Sequence, residues 1–220
     1  MIWDWDNAFR VLPILAEASL ITVEATILGF IIAATLGLAL AIGRLAGPRF
    51  VSVPITGFIE FVRSTPLLIQ IFFLYFVLPE FGIAMPALLT GILALGLHYS
   101  TYCAEVYRAG LDNIPKGQWE AALALNLSAV HTYRDVIIPQ AIPPVIPALG
   151  NYFVALFKDT PLLSAIAVVE LMQRAKILGS ESFRYIEPIT LVGLFFLIFS
   201  LAASALNRYV ERRLKPKAGH

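Results

Sequence analysis

Ile114-Pro-Lys-Gly-Gln-Trp-Glu-Ala-Ala122, continuing through Ala124, Asn126 and Tyr133 to Val136-Ile-Ile-Pro139, is the one long polar island between hydrophobic blocks of this chain. Pro115 and Gly117 break any helix that precedes them, Gln118 can open a new one, and Glu120 falls in its first turn, at the positive end of the helix dipole. A short helix of about three turns then runs toward Pro139, where the next apolar run begins. The island therefore reads as a helix held in water between two membrane spans.

The blocks on either side support that reading. The chain has 220 residues, 59% of them hydrophobic and 14% charged, which is more apolar surface than a soluble domain of this size can bury. A span needs about 20 apolar residues, so the length holds at most five or six. The fold class expected is an all-α integral membrane protein with about five transmembrane helices, a short polar helix held between two of them and a short amphipathic outer helix. The net charge of +1 points to no nucleic acid, and Cys103 lies alone in an apolar run, as a packing residue. The start, Met1-Ile-Trp-Asp-Trp-Asp-Asn, is acidic where a leader is basic, so no cleaved leader is expected, and Trp3 and Trp5 read as interfacial anchors.

Taken in order, the first span covers about Leu20 to Ile42, with Ala33, Gly37 and Ala41 forming a small-residue stripe. Glu24 within it faces a cavity or partner, or sits at the interface. The second span covers about Val53 to Leu78. Glu60 and Arg63 share a helix face there and can pair. The third, about Ala87 to Tyr107, carries a second stripe (Gly96, Ser100, Ala104) and a polar face of His98, Thr101, Tyr102 and Glu105. A lone histidine on such a face is more often structural than functional.

In the fourth span, about Gln140 to Phe157, Pro143, Pro144 and Pro147 remove backbone donors and free carbonyls. Leu162 to Ile177 reads as an amphipathic helix too short to span, followed by a polar loop from Leu178 to Glu187 and a fifth span over about Pro188 to Leu206. With five spans, twice as many Lys and Arg fall on the side of the tail (Arg208, Arg212, Arg213, Lys215, Lys217) as on the other. The N-terminus is therefore expected outside and the Glu120 loop and tail inside. The domains expected are an outer or interfacial segment over 1–15, a transmembrane domain over 16–214 and a cytoplasmic tail over 215–220.

Glu120-Ala121-Ala122, the turn at 126 and Val136-x-Ile138-Pro139 resemble the EAA loop of the permease subunits of type-I ABC importers. Asn126 stands where that family usually has Gly, and Asn is the non-Gly residue that best tolerates a left-handed turn. Arg63-Ser-Thr-Pro-Leu-Leu-x-Gln70 is similar to the Arg-Gly-Thr-Pro-Leu-Leu-x-Gln signature of the polar amino acid group of those permeases. Lys158-Asp-Thr-Pro-Leu162 is similar to their Lys-Asp/Asn-Thr-Ser-Leu segment. The wording of the whole chain is similar to permeases for ectoine and hydroxyectoine.

The resemblance implies a binding-protein-dependent importer subunit of the bacterial inner membrane, carrying polar amino acids or a related zwitterion by alternating access. Its implied partners are two ATP-binding subunits, a second permease, identical or homologous, and an extracytoplasmic solute-binding protein. ATP and Mg would sit on the ATPase and no cofactor on this chain. Lys116, Gly117, Glu120, Ala121, Ala122, Asn126 and Pro139 would form the ATPase-coupling loop, and Glu60, Arg63, Thr65, Gln70, Asn151 and Asp159 the pathway or gate. The sequence carries no phosphate-binding Gly-rich loop, no His-Glu-x-x-His and no paired Cys, so no catalytic or metal residue is assigned. The competing class is an ATP-independent secondary transporter or channel, which would leave the Glu120 loop without a role.

Overall fold

The computed structural model describes residues 3–214, and the tail over 215–220, with Lys215 and Lys217, lies outside them. Every regular element among the described residues is helical. Among those residues four helices are long and apolar enough to cross a membrane, or five with one bent pair.

The first helix, α1 (Trp5–Ala46), has 42 residues, about 60 Å at the α-helical rise and twice the thickness of a bilayer's hydrocarbon. The span expected at Leu20 to Ile42 is its later part, and residues 5–15 are helical with it. Its start is fixed by Asp4, whose carboxylate accepts the amides of Asp6 and Asn7. Pro13 lies inside without ending it. Glu187 ties this start to the last helix, accepting from the Asp4 amide at 3.0 Å and from Asn7 Nδ2 at 3.1 Å.

The second span is not straight. Its first arm, α2 (Arg49–Arg63), and a second arm made of α3 (Leu67–Phe72), a π turn (Phe73–Val77) and a 3-10 turn (Leu78–Phe81) meet at 104°. Pro66 has no amide hydrogen and pushes Thr65 out of the helical region, so the helix stops at the corner. Gln70 then closes it, its amide nitrogen donating to Val62 O at 2.8 Å, Thr65 O at 3.1 Å and Thr65 Oγ1 at 2.7 Å. The continuous span read over Val53 to Leu78 is corrected accordingly.

Next come α4 (Ala87–Asp112) and α5 (Lys116–Ala124). One turn, α6 (Ala129–His131), and a π segment (Thr132–Ile137) lead into α7 (Ile138–Asp159). Pro143, Pro144 and Pro147 all sit inside α7, which stays unbroken. The single amphipathic helix expected over Leu162 to Ile177 is split in two. A 3-10 segment (Thr160–Ile166) ends at Ala167, whose φ is 60°, and α8 (Leu171–Ser182) starts afresh. The restart is caused by Glu170, which is fully buried and accepts the amides of Met172 at 2.9 Å and Gln173 at 2.8 Å. The expected polar loop shrinks to a tight turn at Phe183, also left-handed at φ 54°, before α9 (Ile186–Leu214).

The two small-residue stripes pack on each other. A Cβ on Gly37 would lie 2.6 Å from Cys103 Cβ and 2.7 Å from Ser100 O, and one on Gly96 would lie 2.6 Å from Ile32 Cγ2. Small side chains thus bring the α1 and α4 backbones close, as membrane helices require where lipid offers no hydrophobic drive. Cys103 is wholly buried at that seam. Ile71, Leu95, Leu156 and Leu163 complete the core where α3, α4, α7 and the 3-10 segment meet.

Candidate functional site

Two groups of residues carry polar chemistry beyond what packing of the bundle needs. The first is the polar island. Its helix α5 begins at Lys116, right after Pro115 and two residues before Gln118, so Glu120 lies in the second turn and not in the first-turn position expected for it. Two aromatic rings pin the underside, Trp119 meeting Tyr133 edge-on at 5.4 Å. Gln140 donates to Gln118 Oε1 at 3.1 Å beside them, and Ala122 is 2% exposed.

The helix does not run on toward Pro139. Asn126 turns it at φ 54°, with Leu127 N donating to Ala122 O at 3.1 Å and Asn126 N to Leu123 O at 2.9 Å. These two bonds are the Schellman pattern, for which Gly is the usual left-handed residue. Asn126 thus adopts the conformation expected of it. Ser128 reopens the helix by accepting from His131 N, and Pro139 sits in the first turn of α7, where a missing amide hydrogen costs nothing. Lys116, Gly117, Glu120 and Ala121 all face outward. Beside them Leu123 is 79%, Leu125 73% and Val130 70% exposed, so a firmly seated helix presents an uncovered face of one carboxylate and several aliphatic side chains.

The second group lies between the bent span, α4 and α7. Gln70, having closed the corner, offers Oε1 to His98 Nδ1 at 3.1 Å. His98 is 9% exposed and so satisfied, as the structural reading of it anticipated. The Arg63 guanidinium stands 5.2 Å above the Tyr102 ring, Tyr102 lies 5.4 Å from Tyr152, and the Tyr99 hydroxyl donates to Asp159 Oδ2 at 2.7 Å. A cation and a carboxylate, each held by tyrosine, thus share one polar lining.

Of the expected pathway residues, Arg63, Thr65, Gln70 and Asp159 come together in this lining. Glu60 is exposed one turn before Arg63. Among the described residues no ion pair joins the two, although both lie on α2; the Arg63 guanidinium is directed over the Tyr102 ring instead. Asn151 lies elsewhere, accepting from Asn207 Nδ2 at 3.0 Å.

The polar face expected on α4 also divides. Thr101 bonds back to His98 O at 2.7 Å, and Glu105 belongs to a separate ion network, between Arg44 of α1 and Arg108. Tyr99 and Tyr152 escaped sequence reading. Each sits in an apolar run, and only the packing of α7 against α4 brings their rings to 6.3 Å. Among the described residues no group of three or more His, Cys, Asp or Glu could hold a metal.

Long apolar helices around a polar lining, with a seated helix projecting between two spans, define a polytopic membrane transport subunit. Residues 33–216 match the family described as binding-protein-dependent transport system inner membrane component, and the chain belongs to that family. It is 48% identical to the probable amino-acid ABC transporter permease protein y4tG of Sinorhizobium fredii, over 99% of this chain and 96% of that one. It is 33% identical to the glutamine transport system permease protein GlnP of Escherichia coli K12, over 98% of this chain and 99% of that one.

The crystal structure of an amino acid ABC transporter with histidines superposes with a TM-score of 0.93 at 33% identity, covering 97% of this chain and all of its counterpart. An inward-facing MetNI methionine ABC transporter shares the fold, with a TM-score of 0.71 at 19% identity over 92% of this chain and 94% of that one. The chain is accordingly a multi-pass inner-membrane transport component and not an enzyme, and in this family the ATPase is a separate subunit.

Proposed function

We propose that this chain is the permease subunit of an ATP-driven, binding-protein-dependent importer for amino acids or closely related zwitterionic solutes. The observation that carries the proposal is α5, seated by Trp119 and Ala122 while Glu120, Leu123 and Leu125 stay uncovered for a partner. Lys116, Gly117, Glu120, Ala121, Ala122, Asn126 and Pro139 form the coupling loop in this reading. Two ATP-binding subunits, carrying ATP and Mg, dock there from the cytoplasm. The permease domain is 16–214, with 1–15 at the outer surface and 215–220 in the cytoplasm, and the excess of Lys and Arg on the α5 side supports that orientation.

A second permease completes the pathway, and a solute-binding protein delivers from outside. Closure of the ATPase dimer draws the two coupling helices together and opens the pathway outward. The pathway is lined by Arg63, Thr65, Gln70 and Asp159 with Tyr99, Tyr102 and Tyr152, bordered by Glu60. Asn151 lies apart from it.

A zwitterion in a desolvated site needs partners of both signs. The Arg63 guanidinium, free of Glu60, suits its carboxylate, and Asp159, held by Tyr99, suits its ammonium. Relatives named for glutamine, L-cystine and arginine support the amino-acid class. Ectoine and hydroxyectoine, cyclic zwitterions, are the narrower reading within it. The test is uptake into proteoliposomes holding the chain with its ATPase and binding protein. ATP-dependent accumulation of an amino acid or ectoine is expected, and accumulation that continues without the ATPase would overturn the proposal.

A further inference from the structure

A groove lies between α1, α4 and α7 toward α5, on the other side of α4 from the tyrosine lining. It holds about 590 Å³ between Leu38, Ile42 and Ala46 of α1, Tyr107 of α4, and Ile142 and Val145 of α7. Tyr107 comes nine residues after His98, about two and a half helical turns, so it points away from the lining. A second permease at the lining therefore leaves this groove facing the membrane. Its walls are aliphatic apart from two tyrosines. The Tyr107 hydroxyl is turned to Ala34 O of α1 at 3.2 Å, and Tyr133 stands at the α5 end. From Leu38 to Ala46 the groove runs about 12 Å at the α-helical rise, close to the roughly 15 Å of hydrocarbon in one leaflet.

The unspent charge at the α5 end is positive. Arg134, next to Tyr133, is 82% exposed, and its one ion-pair partner among the described residues, its neighbour Asp135, stands at 3.9 Å. Arg49, three residues beyond Ala46, is exposed and has no such partner among them. Arg44 and Arg108 are already committed, to Glu105 and, for Arg108, also to Asp112. Arg49 is moreover the first residue of α2, where a cation opposes the helix dipole and no acidic side chain of the first turn offsets it. The groove is also joined to α5. Leu111 and Ala141 line it and pack with Trp119 in the cluster beneath that helix, and the Tyr133 ring is both a groove wall and the ring that meets Trp119 edge-on.

We infer that this groove binds one phospholipid with an anionic headgroup, an acyl chain lying between α1 and α7 and the phosphate meeting Arg49 and Arg134. An aliphatic cleft of about one leaflet's depth, ended by two unspent guanidinium groups, matches that molecule at both of its ends. An apolar protein helix would leave the arginines unpaired, and a free anion would leave the cleft empty. Guanidinium groups bond phosphate oxygens through paired N–H donors, and a zwitterionic lipid partly cancels that attraction with its own cation. An occupant bearing on Tyr133 steadies Trp119 and with it the seat of α5. This last effect rests on the reading of α5 as the ATPase-coupling surface, and the lipid site itself does not.

The test uses the assembled transporter in nanodiscs of mixed phosphatidylcholine and phosphatidylglycerol, with retained lipid counted by native mass spectrometry and ATP hydrolysis measured on the same samples. The wild type should retain one phosphatidylglycerol per chain in preference to phosphatidylcholine. Ile142→Trp, which fills the groove from a residue 41% exposed, should lose it. Arg49→Gln with Arg134→Gln should keep a lipid while its preference for phosphatidylglycerol falls about fivefold for each arginine removed. The wild type should lose most of its hydrolysis in phosphatidylcholine alone, and the double variant should show that lower rate even with phosphatidylglycerol present. Equal retention of phosphatidylglycerol by all three proteins overturns the site, and equal retention of the two lipids by the wild type overturns the anionic headgroup. Hydrolysis indifferent to lipid, with retention as expected, overturns the link to α5. A wild-type chain that holds no ATPase subunit contradicts the coupling surface, while the retention results still decide the lipid site.

Discussion

The amide of Leu127 donates to the carbonyl of Ala122 at 3.1 Å, across a residue, Asn126, held at φ 54°. That bond ends α5 and turns the chain back toward α7, leaving Glu120 and Leu123 facing away from the bundle. The turn is made by the one coupling-loop position at which this chain departs from the residue usual in the family it resembles.

Asn126→Gly should therefore preserve the turn, ATPase association and uptake. Asn126→Val, with a branched side chain in a left-handed backbone, should weaken the end of α5 by about 1–2 kcal/mol. The check is the fraction of ATPase retained on the purified chain, wild type and Gly alike, Val lower. Equal retention by all three would mean that the turn does not govern docking.

Arg63 is held by Tyr102 and not by Glu60, so its removal strands no buried carboxylate. Arg63→Ala should fold and insert at near-normal yield while uptake falls at least about tenfold, about 1.4 kcal/mol of lost interaction. Arg63→Lys should recover part of it through the remaining charge. Size-exclusion profiles beside uptake rates separate the two effects, and a misfolded Arg63→Ala protein rescued by adding Glu60→Ala would restore the ion-pair reading.

Gly37 tests the α1–α4 seam. A Cβ there falls 2.6 Å from Cys103 Cβ and 2.7 Å from a backbone oxygen of α4, so Gly37→Val must push the helices apart. A loss of about 1–3 kcal/mol is expected, as for other overpacked cores. Gly117→Ala, where nothing lies within 4 Å, should leave the melting temperature unchanged. Comparable melting curves for the two variants would contradict the close packing.

Burial pushes the Glu170 carboxyl above its usual pKa, partly opposed by the amides of Met172 and Gln173 and by Lys176. An acid that holds its proton more tightly when folded adds stability that is full below about pH 4 and is lost as pH rises through the folded value. Melting temperature should therefore fall as pH rises above about 4 more steeply in the wild type than in Glu170→Gln. Parallel profiles would remove Glu170 from the account.

The spans were legible because apolar runs of the right length are hard to imitate, and the stripes at Gly37 and Gly96 because four-residue spacing of small residues has one common use. The coupling helix was legible in its residues and less so in its phase: Lys116, not Gln118, begins it. The corner at Pro66 was not, since Gln70 closes it from eight residues beyond Val62, a bond with no mark in periodicity. Glu60 and Arg63 do share α2, but the partner that draws Arg63 away, Tyr102 of α4, comes from packing and not from spacing. Tyr99 and Tyr152 stayed hidden because a tyrosine in an apolar run reads as core until a partner such as Asp159 is brought to it.

The account turns on α5 being the surface through which an ATPase acts. The most direct measurement is purification of the tagged chain from its native membrane, wild type and Glu120→Ala, with ATP hydrolysis and uptake assayed on each. The prediction is an ATP-hydrolysing partner on the wild type that is lost or uncoupled in Glu120→Ala, while the mutant chain still inserts. Normal uptake by Glu120→Ala with its ATPase attached, or a wild-type chain that transports with no ATPase at all, would contradict it.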